Sequence, residues 1–192
     1  MTATRPPGFP ELREGDGDAA ALAHGIPGGI LLRAAIASDL PYLRQLYADM
    51  REAEMAQVPW PPAAKRAFLD QQFALQHAHY VRHFPGASFM VLQCRAAQVG
   101  RYYLLRDSDF LIIDISLDPQ IQGQGVGRAL IKRTQALAAS LGRGVRLSVR
   151  LDNVEARRLY ERLGFRRGAV DEHATHLSMR WEPLAGTAPD GL

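Results

Sequence analysis

The chain has 192 residues, enough for one domain with a well-filled core. Hydrophobic residues make up 47% and charged residues 22%, close to the soluble globular average, and no apolar run approaches the length of a transmembrane helix. The formal charge is only +3, and the arginines are spread along the chain instead of forming the dense basic stripe of a general nucleic-acid binder. A single cysteine, Cys94, excludes an internal disulfide and sits in the apolar run Phe89–Cys94, where it reads as a small buried hydrophobe. The N-terminus lacks the charged start and apolar centre of a secretory signal. The expectation is a cytoplasmic protein whose partners include neither nucleic acid nor membrane.

Residues 1–29 are rich in Gly, Pro, Ala and Asp without periodicity and read as a flexible extension. Residues 183–192 read as a loose tail, leaving a folded body at 30–182. The body opens with a strand at Ile30–Ala35. Ser38 before Asp39-Leu40-Pro41 then reads as an N-cap with an early acid and proline. Leu40, Leu43, Leu46, Tyr47 and Met50 recur at helical spacing, and Val58-Pro59-Trp60-Pro61-Pro62 must break that helix. A second helix runs from about Ala63 to His83. Three extended segments follow, at Ser88–Cys94, Val99–Leu105 and Phe110–Leu117, linked as antiparallel hairpins would be. Gly100 weakens the second. After Pro119 a glycine-rich loop enters a helix with Val126, Leu130, Leu137 and Leu141 on one face, ending at Gly142-Arg143-Gly144. Val145–Leu151 alternates like a strand. Asp152-Asn153 caps a further helix that ends at Gly164, and strands at Phe165–Val170 and His176–Trp181 close the body. The order is β-α-α-β-β-β-α-β-α-β-β, an α+β arrangement with one mixed sheet.

The richest stretch is Leu117-Asp118-Pro119-Gln120-Ile121-Gln122-Gly123-Gln124-Gly125-Val126-Gly127-Arg128. It is a strand end, a turn and a glycine-rich helix entry. Free N–H groups at a helix start favour an anion, and glycines let a phosphate approach the backbone. A Walker loop fails because Gly127 is followed by Arg128-Ala129, not Lys-Ser/Thr. A dinucleotide fingerprint fails because its third glycine would fall on Arg128 or Leu130.

What remains, Gln122, Gly125 and Gly127 after an apolar-Asp-Pro turn, resembles the pyrophosphate loop of the GNAT acyltransferase superfamily. Downstream, Asn153, Ala156, Tyr160, Gly164 and Phe165 resemble that family's Asn-x-x-Ala-x-x-x-Tyr-x-x-x-Gly-Phe motif at all five positions. The opening Arg33-Ala34-Ala35…Ser38-Asp39-Leu40 is also a common family start, so the resemblance spans about residues 30–182. Taken singly, the loop also fits a plain helix start, Tyr160 a core tyrosine and Asn153 an N-cap; their joint occurrence in this order carries the resemblance.

The resemblance implies a splayed mixed sheet with acetyl-CoA entering where two central parallel strands diverge. It implies that the N–H groups of Gln122, Gly123, Gln124, Gly125, Val126, Gly127 and Arg128 hold the pyrophosphate. Backbone of Ile115 and Leu117 would pair with the pantetheine arm, Asn153 would contact it, and the Leu117 N–H would polarise the thioester carbonyl. The implied reaction is direct attack by a primary amine on the thioester. Tyr160 would protonate the departing thiolate, since a tyrosine pKa near ~10 exceeds a thiol's ~8.5. The base is left open among Asp114, Asp109 and a water chain. Asp114 is equally readable as a structural carboxylate bonded to an arginine. The implied alternative to catalysis is an acyl-CoA-binding sensor with the same fold, and family habit adds a homodimer. Glu52, Glu54, Trp60 and Tyr80 are candidates for the acceptor entrance, with a solvated helix face the plainer reading of the two acids. His77, His79 and His83 do not share a helix face, so no metal is expected, and His173 and His176 read as structural.

Overall fold

The computed structural model describes residues 7–10, 22, 25–168 and 175–184. Among these residues the sheet has seven strands in the order β1-β2-β3-β4-β5-β7-β6: β1 (Ile30–Ala34), β2 (Ser88–Cys94), β3 (Ala97–Arg106), β4 (Phe110–Leu117), β5 (Val145–Arg150), β6 (Arg166–Arg167) and β7 (His176–Trp181). The helices are α1 (Leu40–Asp49), α2 (Glu52–Ala56), α3 (Pro62–His83), α4 (Val126–Ser140) and α5 (Val154–Arg162). All pairings are antiparallel except β4 with β5. No helix among the described residues is long and apolar enough to cross a membrane.

Two apolar layers sandwich the sheet. On one face α4 and α5 pack through Val126, Leu130, Ile131, Ala138 and Tyr160 against Leu92, Tyr102, Leu104, Phe110 and Ile112. On the other, α1 and α3 pack through Leu43, Tyr47, Leu69 and Phe73 against Phe89, Val91 and Tyr103. The alternation of side chains along β2 and β3 supplies both layers at once, which is why these strands read as nearly continuous apolar runs. The second layer stops at β4. Beyond it, Arg146, Ser148 and Arg150 of β5 and His176, Ser178 and Arg180 of β7 face outward, uncovered.

Several expectations need correction. The helical region before β2 holds three helices, because one turn at Glu52–Ala56 is too short to show a period. Ser38 does not cap α1. Asp39 is the buried anchor instead: its carboxylate takes two 2.7 Å bonds from Arg33, one of 2.8 Å from the Ile36 N–H and another from Gln98. The face of α4 runs through Ile131 and Thr134, while Leu141 lies past the helix end and is exposed. Strand β6 is only two residues long; Ala169 and Val170, expected to continue it, lie outside the described residues, as does His173. The described part of residues 1–29 packs onto the domain: Leu22 and Ile26 are in the core, and the Phe9 ring lies 4.9 Å from His77 and 5.6 Å from Phe89. Single apolar residues in a Gly/Pro-rich background have no period to detect, yet Leu22 and Ile26 are buried and Phe9 is partly so.

Gly100 does not weaken β3. A Cβ there would sit 2.7 Å from the Ser116 carbonyl oxygen, so glycine is what lets β3 and β4 close at this point. One residue later in β4 lies Leu117, the hinge of the site.

Candidate active site

Strands β4 and β5 pair over only three rungs, Phe110↔Val145, Leu111↔Arg146 and Ile112↔Leu147, and then part. β4 stays with β3 as far as Gly100↔Leu117, and β5 stays with β7 as far as Arg150↔His176. A register shift where Tyr103 pairs with Asp114 but Leu104 with Ile112 leaves Ile113 as an extra residue, a bulge that turns the end of β4 away from β5. The result is a notch bounded by two strand edges.

The phase of the β4 edge is set by the bond from the Asp118 N–H to the Val99 oxygen at 2.9 Å. Antiparallel partners alternate, so Ser116 and Asp118 direct their backbone groups to β3, while Ile115 and Leu117 direct theirs into the notch. The Leu117 oxygen is taken by the Gln122 side-chain amide at 2.8 Å, which ties the loop to the strand end. The Leu117 N–H is left facing the notch.

The loop is held from inside. Asp118 accepts from the Gln120 N–H at 2.9 Å, and Gln124 donates to the Gln120 oxygen at 2.8 Å. Gly123 and Gly125 have φ of +73° and +83°, a region that disfavours any side chain. A Cβ at either position would meet nothing within 4 Å, so the loop's outer side is open space. Gly127 is conformationally ordinary and packs over Leu117 and Ile115. The first helical bond of α4 runs from Ala129 to Gly125, so among the described residues the N–H groups from Gln122 to Arg128 have no backbone acceptor. Seven adjacent donors and an exposed Arg128 at a helix start make a cradle of the right charge for a pyrophosphate.

Across the notch, Asn153 caps α5 by accepting from the Ala156 N–H at 3.1 Å, which uses its oxygen and leaves its amide N–H2 free. About two helix turns further on stands Tyr160, 7% exposed, its ring packed on Phe165. Among the described residues its hydroxyl has no hydrogen-bond partner. Burial, reinforced by the charge of Asp114, pushes its pKa up to about 12. Gly164, at φ +85°, lets the chain leave α5, and the Phe165 N–H closes the turn on the Tyr160 oxygen at 3.0 Å.

Between these walls lies a cavity of about 790 Å³, lined on one side by Met50, Arg51 and Glu54, on the floor by Ile112–Ser116, and on the other side by Leu147–Arg150, Asn153 and Tyr160. Asp114 sits in its floor and is fully engaged. Arg101 grips it with a two-point fork, 3.0 Å to Oδ1 and 2.8 Å to Oδ2; Ser116 donates to Oδ1 at 2.8 Å and Tyr80 to Oδ2 at 3.1 Å. Arg101 also donates to Gln76 at 2.8 Å.

Residues 85–167 match the family model for the acetyltransferase (GNAT) domain. Over that segment the chain is similar to GNAT acetyltransferases. It is 35% identical over 109 residues to the N-alpha-acetyltransferase RimI of Mycobacterium tuberculosis, an alignment that covers 57% of this chain and 63% of that protein. The chain thus spans less than two thirds of that relative. Solved structures agree on the fold. PaiA N-acetyltransferase from Thermoplasma acidophilum, in complex with coenzyme A, superposes with a TM-score of 0.61 at 14% identity, covering 80% of this chain and 99% of that one. The RimL ribosomal L7/L12 alpha-N-protein acetyltransferase, in complex with coenzyme A, gives 0.59 at 18% identity, covering 82% and 97%.

Two acids considered from the sequence part company. Asp114 is bonded to an arginine, and four donors in all surround its two oxygens. Asp109 lies at the far end of β4, about 25 Å of strand from Leu117, and holds Arg180 at 3.1 Å and Arg146 at 3.5 Å. Its place is outside the notch. Of the acceptor-side candidates, Glu54 and Tyr80 line the cavity; Glu52 and Trp60 do not, and Trp60 packs edge-on against Phe68. His77 is buried against Phe73 and bonds to the Pro7 oxygen, while His79 and His83 stack on one another 4.2 Å apart. His176 borders the cavity mouth and bonds to Thr175.

Arg101, Gln76 and Arg51 were not foreseen. A signal for Arg101 was present: one cation in the run Gly100–Leu105 and one anion in the run Leu111–Ile115, on adjacent apolar strands, have only each other to satisfy them. Arg51 carried no such signal, since it lies in the unread turn between α1 and α2.

Proposed function

We propose that this protein transfers an acetyl group from acetyl-CoA to a primary amine by direct attack of the amine on the thioester. The observation that carries the reading is the meeting, at one notch, of an unsatisfied N–H cradle, a free strand edge and an unpartnered tyrosine hydroxyl. The N–H groups of Gln122 to Arg128 hold the pyrophosphate. Ile115 and Leu117 bind the pantetheine arm as an added strand, aided by the free amide of Asn153. The Leu117 N–H points at the thioester oxygen and stabilises the negative charge that develops there.

As the C–N bond forms and the C–S bond breaks, the leaving thiolate takes a proton from Tyr160. Burial keeps that hydroxyl protonated through the working pH range, and the same desolvation raises the proton affinity of a thiolate expelled beside it. Asp114 serves as a positioning residue: its pairing with Arg101 fixes Tyr80 in the cavity floor. The two protons that the ammonium loses, one before attack and one as the amide forms, leave through water in the cavity, which returns one of them to the Tyr160 phenolate. The name of the mycobacterial relative makes a peptide α-amine the first acceptor to try. Homodimerisation and a cytoplasmic location complete the reading and are checked by sedimentation and cell fractionation.

Thiol release from acetyl-CoA, followed across a panel of amines, tests the reaction. Tyr160→Phe should lower kcat on the order of 100-fold while acetyl-CoA binding persists. Undiminished turnover in that variant would remove the acid role from Tyr160; absence of turnover with every amine would remove the transfer reading.

A further inference from the structure

We propose that Arg51 is the acceptor-side anion receptor of this site, so that the acceptor is an amine bearing a carboxylate. The inference rests on the transfer reading above. The charges lining the cavity can be matched one by one. Arg101 is matched by Asp114 at 2.8 Å. Arg150 is matched by Asp152 at 2.6 Å and by Glu54 at 3.5 Å. Glu155 lies in the first turn of α5, where the helix dipole offsets its charge. Arg51 alone among these cations has no carboxylate within ion-pair reach among the described residues.

Its guanidinium is held in place all the same. It lies over the Tyr47 ring, 3.5 Å from the centroid, and one nitrogen donates to the Tyr47 oxygen at 3.2 Å. A guanidinium carries five donors, so four remain for a ligand. The half-buried position, between the ends of α1 and α2, orients those donors without an anion to satisfy them. Burial is the main influence disfavouring the charge, and the nearby Arg101 and Arg150 add to it, against a partial offset from Tyr47 and Glu54; together they bring the pKa below the ordinary arginine value. A cation held in such a field gains most from an incoming anion, and a planar two-oxygen group matches its fork. An attacking amine held near the Leu117 N–H, with its carboxylate turned toward α1 and α2, satisfies both walls of the cavity.

Two sources of such a carboxylate are separated by matched probes: glycine against glycinamide for a free amino acid, and amidated Ala-Asp-Ala against amidated Ala-Asn-Ala for an acidic peptide N-terminus. In one of the two sets the parent protein should favour the carboxylate member on the order of 10- to 100-fold in kcat/KM. Arg51→Met should bring that ratio close to one, chiefly through KM, and Arg51→Lys should keep part of it. Arg150→Gln, which removes a cation already matched, should leave the ratio within about twofold. Acetyl-CoA binding measured on each variant reports that fold and cofactor loop are intact. A parent with no carboxylate preference in either set, or a preference that survives Arg51→Met, overturns the inference. No turnover with any probe or amine, despite acetyl-CoA binding, defeats the transfer reading itself and this inference with it.

Discussion

Removing one partner of the Arg101–Asp114 pair should unfold the protein at a markedly lower temperature, and removing both should do less harm than the two single losses together. The side chains are 4% and 10% exposed, so solvent screening discounts their interaction little. Arg101→Met strips two of the four donors from Asp114 and leaves a buried carboxylate held only by Ser116 and Tyr80; Asp114→Asn leaves a buried guanidinium facing a neutral amide. Breaking such a pair costs about 3–5 kcal/mol. At roughly 2–4 °C per kcal/mol for a domain of this size, either variant should melt about 6–20 °C below the parent. The double variant removes both charges, so the cycle should show a coupling of about 2–3 kcal/mol. Calorimetric melts of the four proteins at pH 7 make the comparison. Single variants within about 1 kcal/mol of the parent, or a double variant costing the full sum, would refute the picture of a mutually dependent buried pair. An Asp114→Asn protein with unchanged melting but abolished turnover would point instead to direct proton transfer by Asp114.

Asp39→Asn should cost about 2 kcal/mol at pH 7, the low end for a charged pair because Arg33 is 36% exposed. Burial opposes the Asp39 charge, but the bonds from Arg33 and the Ile36 N–H outweigh it and hold the carboxyl below its usual range. A depressed pKa stabilises the fold above the unfolded value near ~4, so the gap between parent and variant should shrink as pH falls through the lower folded value. A gap that widens in acid would contradict the assignment. Gly100→Ala should destabilise by about 1–3 kcal/mol and lower activity as well, because the Ser116 oxygen it displaces adjoins Leu117; denaturant melts and thiol-release rates check both. Tyr160→Phe should separate the two properties, leaving stability within about 0.5 kcal/mol because its hydroxyl has no partner to orphan, while activity falls.

The strands were the most legible part of the fold. Ser88–Cys94, Phe110–Leu117 and His176–Trp181 lie where composition and flanking turn residues put them, because strand runs bounded by polar links leave little freedom at their ends. The glycine loop and Asn153–Phe165 were legible for another reason: positive φ at Gly123, Gly125 and Gly164 and a capping asparagine are backbone demands that the residue types disclose directly. What stayed hidden depends on contacts across the chain. The buried carboxylate of Asp39 looks in sequence like any early helical acid, and only its meeting with Arg33, Ile36 and Gln98 gives it a structural role. Asp114 was seen, but whether it was free or paired turned on a cation 13 residues away, on the neighbouring strand. Arg51 was invisible because its significance is having no carboxylate partner among the described residues, in a cavity that draws on α2, α3, α5, β3, β4, β5 and β7.

The central claim is that the loop from Gln122 to Arg128 binds the pyrophosphate of acetyl-CoA. Calorimetric titration of acetyl-CoA into the parent protein and into Gly125→Glu tests it most directly, with Gly125→Ala as the control for backbone strain at φ +83°. The account predicts saturable binding in the parent, weakened binding in the alanine variant, and loss in the glutamate variant, whose carboxylate occupies the cradle and repels the ligand. No binding by the parent, or equal binding by Gly125→Glu, would contradict it and leave the loop as a helix entry for which another anion, or none, must be sought.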